Sequence, residues 1–177
     1  MLGGRCPVKH AKWMIAALAA ATAMPATAQV VSPNQNATGR ALILVPLQLT
    51  RIDDLSFGTV ISSPAAGTVT MPADGTARTV GGGVTAVASD PGLRALFGGA
   101  GSPNQLVTFT LTPPAVLTST TNPADTIPVS LVLEYPSVNI DPVTRAFYVG
   151  VGGTLNIAAD QPDGVYEAIF NLEAQYQ

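Results

Sequence analysis

Beyond residue 28 the chain contains no lysine, histidine, cysteine or tryptophan. Those absences exclude a Cys or His nucleophile with its base, a Schiff-base lysine, a thiolate zinc site and a His-ligated metal. Positive charge is scarce as well. Five arginines (Arg40, Arg51, Arg78, Arg94 and Arg145) stand against eleven carboxylates, a net charge of −6 for this part of the chain. Phosphate backbones are bound by basic patches, so nucleic acid is disfavoured. Only 11% of all residues are charged, against roughly 25% in ordinary globular chains. Disorder does not follow from that, because 47% are hydrophobic and like-charge runs are missing. No stretch reaches the ~20 apolar residues of a membrane-spanning helix.

What is present begins with an export pattern. Arg5, Lys9 and Lys12 precede an apolar run over residues 14–23, and Ala26-Thr27-Ala28 supplies a small-x-small cleavage site. These are the three parts of a secretory signal peptide. The expected organisation is a signal over 1–28, a flexible extension over 29–39 that could act as a donor segment, and one β-domain over 40–177. Cys6 leaves with the signal, so the exported domain must fold without a disulfide. The Asn36-Ala37-Thr38 triplet matches a glycosylation acceptor pattern, but three residues are too few to assign a role.

Apolar residues then recur with period two, the mark of β-strands. In residues 41–49, Ala41, Ile43, Val45, Leu47 and Leu49 share one face, and Leu42 and Leu44 are also apolar. This predicts a strand buried on both sides at its start, with Pro46 marking an edge or a change of partner. Val107, Phe109 and Leu111 alternate before Pro113-Pro114, and Val129, Leu131, Leu133 and Tyr135 alternate in the same way. The clearest pattern is the last: Tyr166, Ala168, Phe170, Leu172, Ala174 and Tyr176 on one face, with Glu167, Ile169, Asn171, Glu173 and Gln175 on the other. Asp90-Pro91 could open a single helical turn over residues 90–97. Gly and Pro, 17 and 15 in number, punctuate seven to nine short strands. The fold class is all-β, an antiparallel β-sandwich. A transmembrane β-barrel would also alternate, but it needs aromatic girdles, and the exported chain has five Phe and four Tyr.

Other constellations point to no chemistry. Gly81-Gly82-Gly83 and Gly98-Gly99-Ala100-Gly101 are not followed by Lys-Ser/Thr and read as turns or bulges. Asp53-Asp54 and the Asp160/Asp163 pair could offer oxygen ligands to calcium, yet acidic pairs beside Gly or Pro are usually solvated turns. A glycosidase-style carboxylate pair would have no His, Trp or Lys to bind or tune a sugar. No enzyme activity, cofactor or metal is expected.

Two segments carry more than periodicity. The stretch from Val149 to Tyr176, with Gly164 the fourteenth residue counted back from the end and Tyr176 penultimate, resembles the ending of chaperone–usher pilins. Residues 41–58, with Pro46-Leu47 and Leu55-Ser56-Phe57-Gly58, resemble the opening of spore-coat-U-like fimbrial domains. Overall the chain is most similar to a secreted proteobacterial domain family of unknown function, DUF4402. The shared elements are Leu-x-Phe-Gly at residues 55–58, Val-Gly-Gly-Thr-Leu at 151–155 and Gly-x-Tyr at 164–166. The resemblance implies an immunoglobulin-like, pilin-type sandwich lacking one strand. It would be a non-enzymatic subunit of a fimbria-like filament or coat on the surface of a Gram-negative cell, reached through the periplasm. Its implied partners are neighbouring subunits, a periplasmic chaperone and an outer-membrane usher. Gly164, Tyr166, Phe170, Leu172 and Tyr176 would form the assembly groove. Residues 29–39 are mostly polar and contain Pro33, so Ala41, Ile43 and Val45 would supply the donor plugs. The alternative is a self-contained secreted surface or adhesin module that binds a ligand without polymerising.

Overall fold

The alternation read from the sequence becomes thirteen strands in a computed structural model that describes residues 37–177. In chain order they are β1 (Gln48–Asp53), β2 (Val60–Ile61), β3 (Gly67–Met71), β4 (Thr79–Gly82), β5 (Thr85–Ala86), β6 (Ala95–Ala100) and β7 (Leu106–Thr112). There follow β8 (Val116–Ser119), β9 (Thr126–Leu133), β10 (Ser137–Asn139), β11 (Ala146–Ile157), β12 (Tyr166–Glu167) and β13 (Asn171–Tyr176). Nine of them run four residues or more, within the expected seven to nine, and the others are two- or three-residue pairings at turns. Every pairing is antiparallel. The fold is all-β. Residues Ala41–Gln177 form one compact unit; the signal segment and most of the 29–39 extension lie outside the described residues.

Strand β11 organises the molecule. On one edge its first half pairs with β6 and its second half with β3; on the other edge it pairs with β9. The large sheet runs β1-β6-β11-β9-β8-β12, with β4 beside β3. A smaller sheet, β10-β7-β13, lies against one half of it. Because successive side chains in a strand point to opposite faces, Phe147, Val149, Val151, Leu155 and Ile157 all project from one face of β11, and all are buried. Phe147 and Val149 pack with Val107, Phe109 and Ile140 in one cluster, and the Phe109 and Phe147 rings lie 5.6 Å apart. Leu155 and Ile157 belong to a second cluster with Phe57, Val69, Met71, Val84, Ile127 and Val129. The small sheet covers the first cluster. The second lies farther along β11.

Three expectations are corrected. Residues 41–47 form no strand, and the run expected to be buried on both faces is largely exposed, Leu42 at 73% and Ile43 at 91%. Pro46 cannot donate to a ladder, and pairing with β6 begins only at Gln48. No helical turn forms over residues 90–97, because Leu93 exchanges both backbone hydrogen bonds with Ser56 and β6 starts at Ala95. The long C-terminal strand is two strands: β12 pairs with β8 in the large sheet and β13 with β7 in the small one, with residues 168–170 crossing between.

The opposite face of β11 is kept bare by Gly150 and Gly152, which lets the chain after β3 cross it closely. A Cβ on Gly152 would stand 2.2 Å from the Met71 carbonyl oxygen and 2.5 Å from the Ala73 nitrogen. Both are backbone atoms that cannot swing aside. Gly152→Ala is expected to cost about 1–3 kcal/mol, the usual range for overpacking. Val143→Ala, at a side chain 87% exposed, is expected to change stability by less than about 0.5 kcal/mol. Urea midpoints at constant m-value check both.

Candidate functional site

Where the small sheet ends, the second apolar cluster is only partly roofed. An open groove of about 830 Å³ remains there. Its floor is the continuing inner face of the large sheet: Leu117 from β8, Ile127 and Leu131 from β9, Leu155 and Ile157 from β11. One wall is residues 55–60, which leave β1 and place Leu55, Phe57 and Val60 against the floor. The other wall is residues 164–170, which carry β12 and the crossing into β13. Gly164 begins this wall with a φ of +150°, which L side chains rarely adopt. Phe170 closes its inner end, edge-to-face on Phe97 at 6.1 Å. β12 pairs with β8 on one side and has no strand on the other among the described residues.

The rim is acidic. Asp54, Asp90 and Glu167 line the groove, and no arginine does. The Thr59 hydroxyl donates to Asp90 at 2.7 Å and is the main reason that this carboxyl is held below its ordinary range; backbone hydrogen bonds and the charge of Arg78 act in the same direction, against partial desolvation. Arg78 itself donates to the carbonyls of Phe57, Thr59 and Val87, tying this wall to the segment behind it.

The expected site residues divide between two places. Gly164, Tyr166 and Phe170 line the groove. Tyr166 is fixed there by its hydroxyl, which donates to the Pro162 carbonyl at 2.8 Å and accepts from Gln161 Nε2 at 3.0 Å. Leu172 and Tyr176 lie outside it, packed against the cluster under the small sheet. They share a face with Phe170, but the chain has changed sheets before it reaches them.

Tyr176 instead holds the expected donor segment. Its hydroxyl donates to the Val45 carbonyl at 2.9 Å and accepts from the Ser102 N–H at 2.8 Å; the Val45 N–H donates to Ser102 Oγ at 2.9 Å. Both backbone polar groups of Val45 are thus committed to their own domain. Ala41 and Ile43 lie upstream of this clamp and are exposed. Val45 is the anchor of an apolar arm more than part of its free length.

Strand register places arm and groove at opposite poles. Gln48 is level with Ala100, and Ala100 with Ala146, at the start of β11. The groove floor includes Leu155 and Ile157 near its end. Nine residues at ~3.3 Å per residue separate the two levels by about 30 Å. From Val45 to Ala41 an extended chain spans at most about 14 Å. Ala41 and Ile43, the expected plugs, therefore cannot reach the groove of their own molecule.

The sequence alone did not reveal the floor positions Leu117, Ile127 and Leu131 or the wall at residues 55–60. The Leu-x-Phe-Gly element was the available signal for that wall: Leu55, Phe57 and Gly58 all line the groove.

Tyr176→Phe removes two hydrogen bonds at the clamp and leaves the ring packing in place. At ~0.5–1.5 kcal/mol per bond it is expected to cost about 1–3 kcal/mol. Amide exchange at Ser102 and Val45 is expected to accelerate, while Phe109 and Val149 keep their protection. Hydrogen-exchange mass spectrometry reads this out; unchanged exchange at Val45 would dissociate the clamp from Tyr176.

No curated protein and no solved structure matches the chain. A family profile does, over residues 47–176. That span starts just after the exposed arm and takes in the clamp tyrosine, both apolar clusters and both walls of the groove. The chain belongs to the family described as domain of unknown function (DUF4402).

Proposed function

We propose that this protein is a non-enzymatic structural subunit of a cell-surface filament or coat, assembled by β-strand complementation. The observation that carries the proposal is the pairing of two incomplete features at opposite poles. One is an apolar groove bordered by a strand with a free edge; the other is an exposed apolar arm out of reach of that groove. Each alone is an aggregation hazard. Together they fit between copies: the arm of one subunit lies beside β12 of the next, main-chain hydrogen bonds set register, and apolar plugs fill the floor. Covering an exposed isoleucine or leucine is worth about 1.5–3 kcal/mol. Ile43, Leu42 and the wall residues Val165 and Ile169, 60% and 88% exposed, would all gain cover. Because arm and groove are different surfaces, the contact is head-to-tail and propagates without closing.

An exported subunit of this kind needs temporary cover in transit. That fits the export signal and a periplasmic chaperone whose strand occupies the groove before delivery to an outer-membrane usher. The plugs are Ala41 and Ile43, with Val45 as the point of departure.

Removal of residues 29–44 leaves the clamp and groove intact but takes away the arm. Such a subunit is expected to accept a neighbour and not to extend, so that adding it to intact mature protein shortens the filaments seen by electron microscopy. Alone it should elute as a monomer. If it assembles like the intact mature chain, strand donation from this arm is wrong. If the intact mature chain is monomeric at every concentration, the self-contained surface module is the better description.

A further inference from the structure

Alternation of apolar residues tells an arm which face to bury, but a shift by two residues preserves that face. Something else must fix how far the arm enters. Between Gln29 and Thr50 the chain carries a single charged side chain, Arg40, directly before the exposed run. The groove offers only acidic partners. Asp54 is already bound by Arg51 at 2.7 Å, and Asp90 lies within the electrostatic reach of Arg78. Glu167 makes no salt bridge among the described residues.

Facing and direction agree with this charge match. With Ala41 and Ile43 turned to the floor, strand alternation turns Arg40 and Leu42 to the rim. On the wall, Tyr166 packs inward with the second cluster, so Val165, Glu167 and Ile169 form the outward row. The wall runs inward from Gly164 at the outer pole to Phe170 beside the small sheet. An arm that enters tip first therefore runs antiparallel to it. Arg40 opposite Glu167 then brings Leu42 opposite Val165, a charge pair beside an apolar pair.

Given the strand complementation proposed above, we infer that Arg40 of one subunit pairs with Glu167 of the next and sets the register and depth of the arm. A two-residue slip would move the guanidinium about 7 Å from the carboxylate and forfeit the pair while keeping the plugs facing inward.

A charge swap in the mature full-length chain tests this, read as the critical concentration for assembly by light scattering. At low ionic strength, Arg40→Glu and Glu167→Arg are each expected to raise it about 3–10-fold, and the double variant to return it to within about 2-fold of the parent. Arg40→Gln should fall between parent and Arg40→Glu, and about 0.5 M salt should narrow all the differences. Matching urea midpoints would show that the variants fold alike. Single variants that assemble like the parent, or a double variant no better than the singles, would overturn the pairing. Strand complementation would still stand if removal of residues 29–44 stops extension. If that truncated chain assembles normally, complementation itself has failed, and the pairing with it.

Discussion

Strand β11 buries one face from Phe147 to Ile157, about 33 Å of apolar surface at ~3.3 Å per residue. The small sheet that packs on this face is shorter. β7 and β13 cover Phe147 and Val149, and residues 164–170, which lead into β13, lie beyond that cover. The length mismatch between a twelve-residue central strand and a partial second layer creates the groove. Two further features follow. β9 must present Ile127, Val129 and Leu131 to the open half and Leu133 to the closed half. The C-terminal segment must change sheets between β12 and β13, which gives the groove its second wall.

The closed half is what makes the open half tolerable. Its cluster is sealed by aromatic packing and by the Val45–Ser102–Tyr176 clamp. On the far face of the large sheet, Glu134 accepts from Arg94 at 2.8 Å and from the Gly150 N–H at 3.1 Å. An ion pair that is only partly buried, as this one is, is by itself weak support for stability, since desolvation offsets much of its attraction. Here the carboxylate also satisfies a backbone donor, and Arg94 donates to the Ala73 carbonyl as well, so the pair joins three segments that cross at the glycines of β11.

Period-two alternation made β7, β9 and β13 legible, because each turns one face to the core and the other outward. It failed where the same pattern has two physical meanings. Residues 41–45 read as a buried strand because Leu42, Ile43 and Leu44 are apolar on both sides; the structure leaves them without a partner. Alternation records which residues prefer cover, not whether the chain itself provides it. The site shows the same limit. Phe170, Leu172 and Tyr176 lie on one face by parity, but parity does not say that the strand switches sheets at Phe170. The motif residues Leu55, Phe57, Gly164 and Tyr166 were better guides, since they sit where the chain bends and where spacing is set by turn geometry.

The free edges show why the exposed apolar surface need not lead to indiscriminate pairing. β13 borders the small sheet, but its outward row is Asn171, Glu173 and Gln175, polar and exposed. β1, at one end of the large sheet, exposes Arg51 beside Asp54. Charged and polar side chains on an edge oppose strand addition. β12 differs: its outward row places Glu167 between exposed Val165 and Ile169. A strand of any apolar composition could cover the two hydrophobic residues. One that also brings a single positive charge at the matching position would neutralise the acid between them. In strand complementation, selectivity at this edge would rest on one carboxylate in an apolar row, whereas the outward row of β13 is polar along its length.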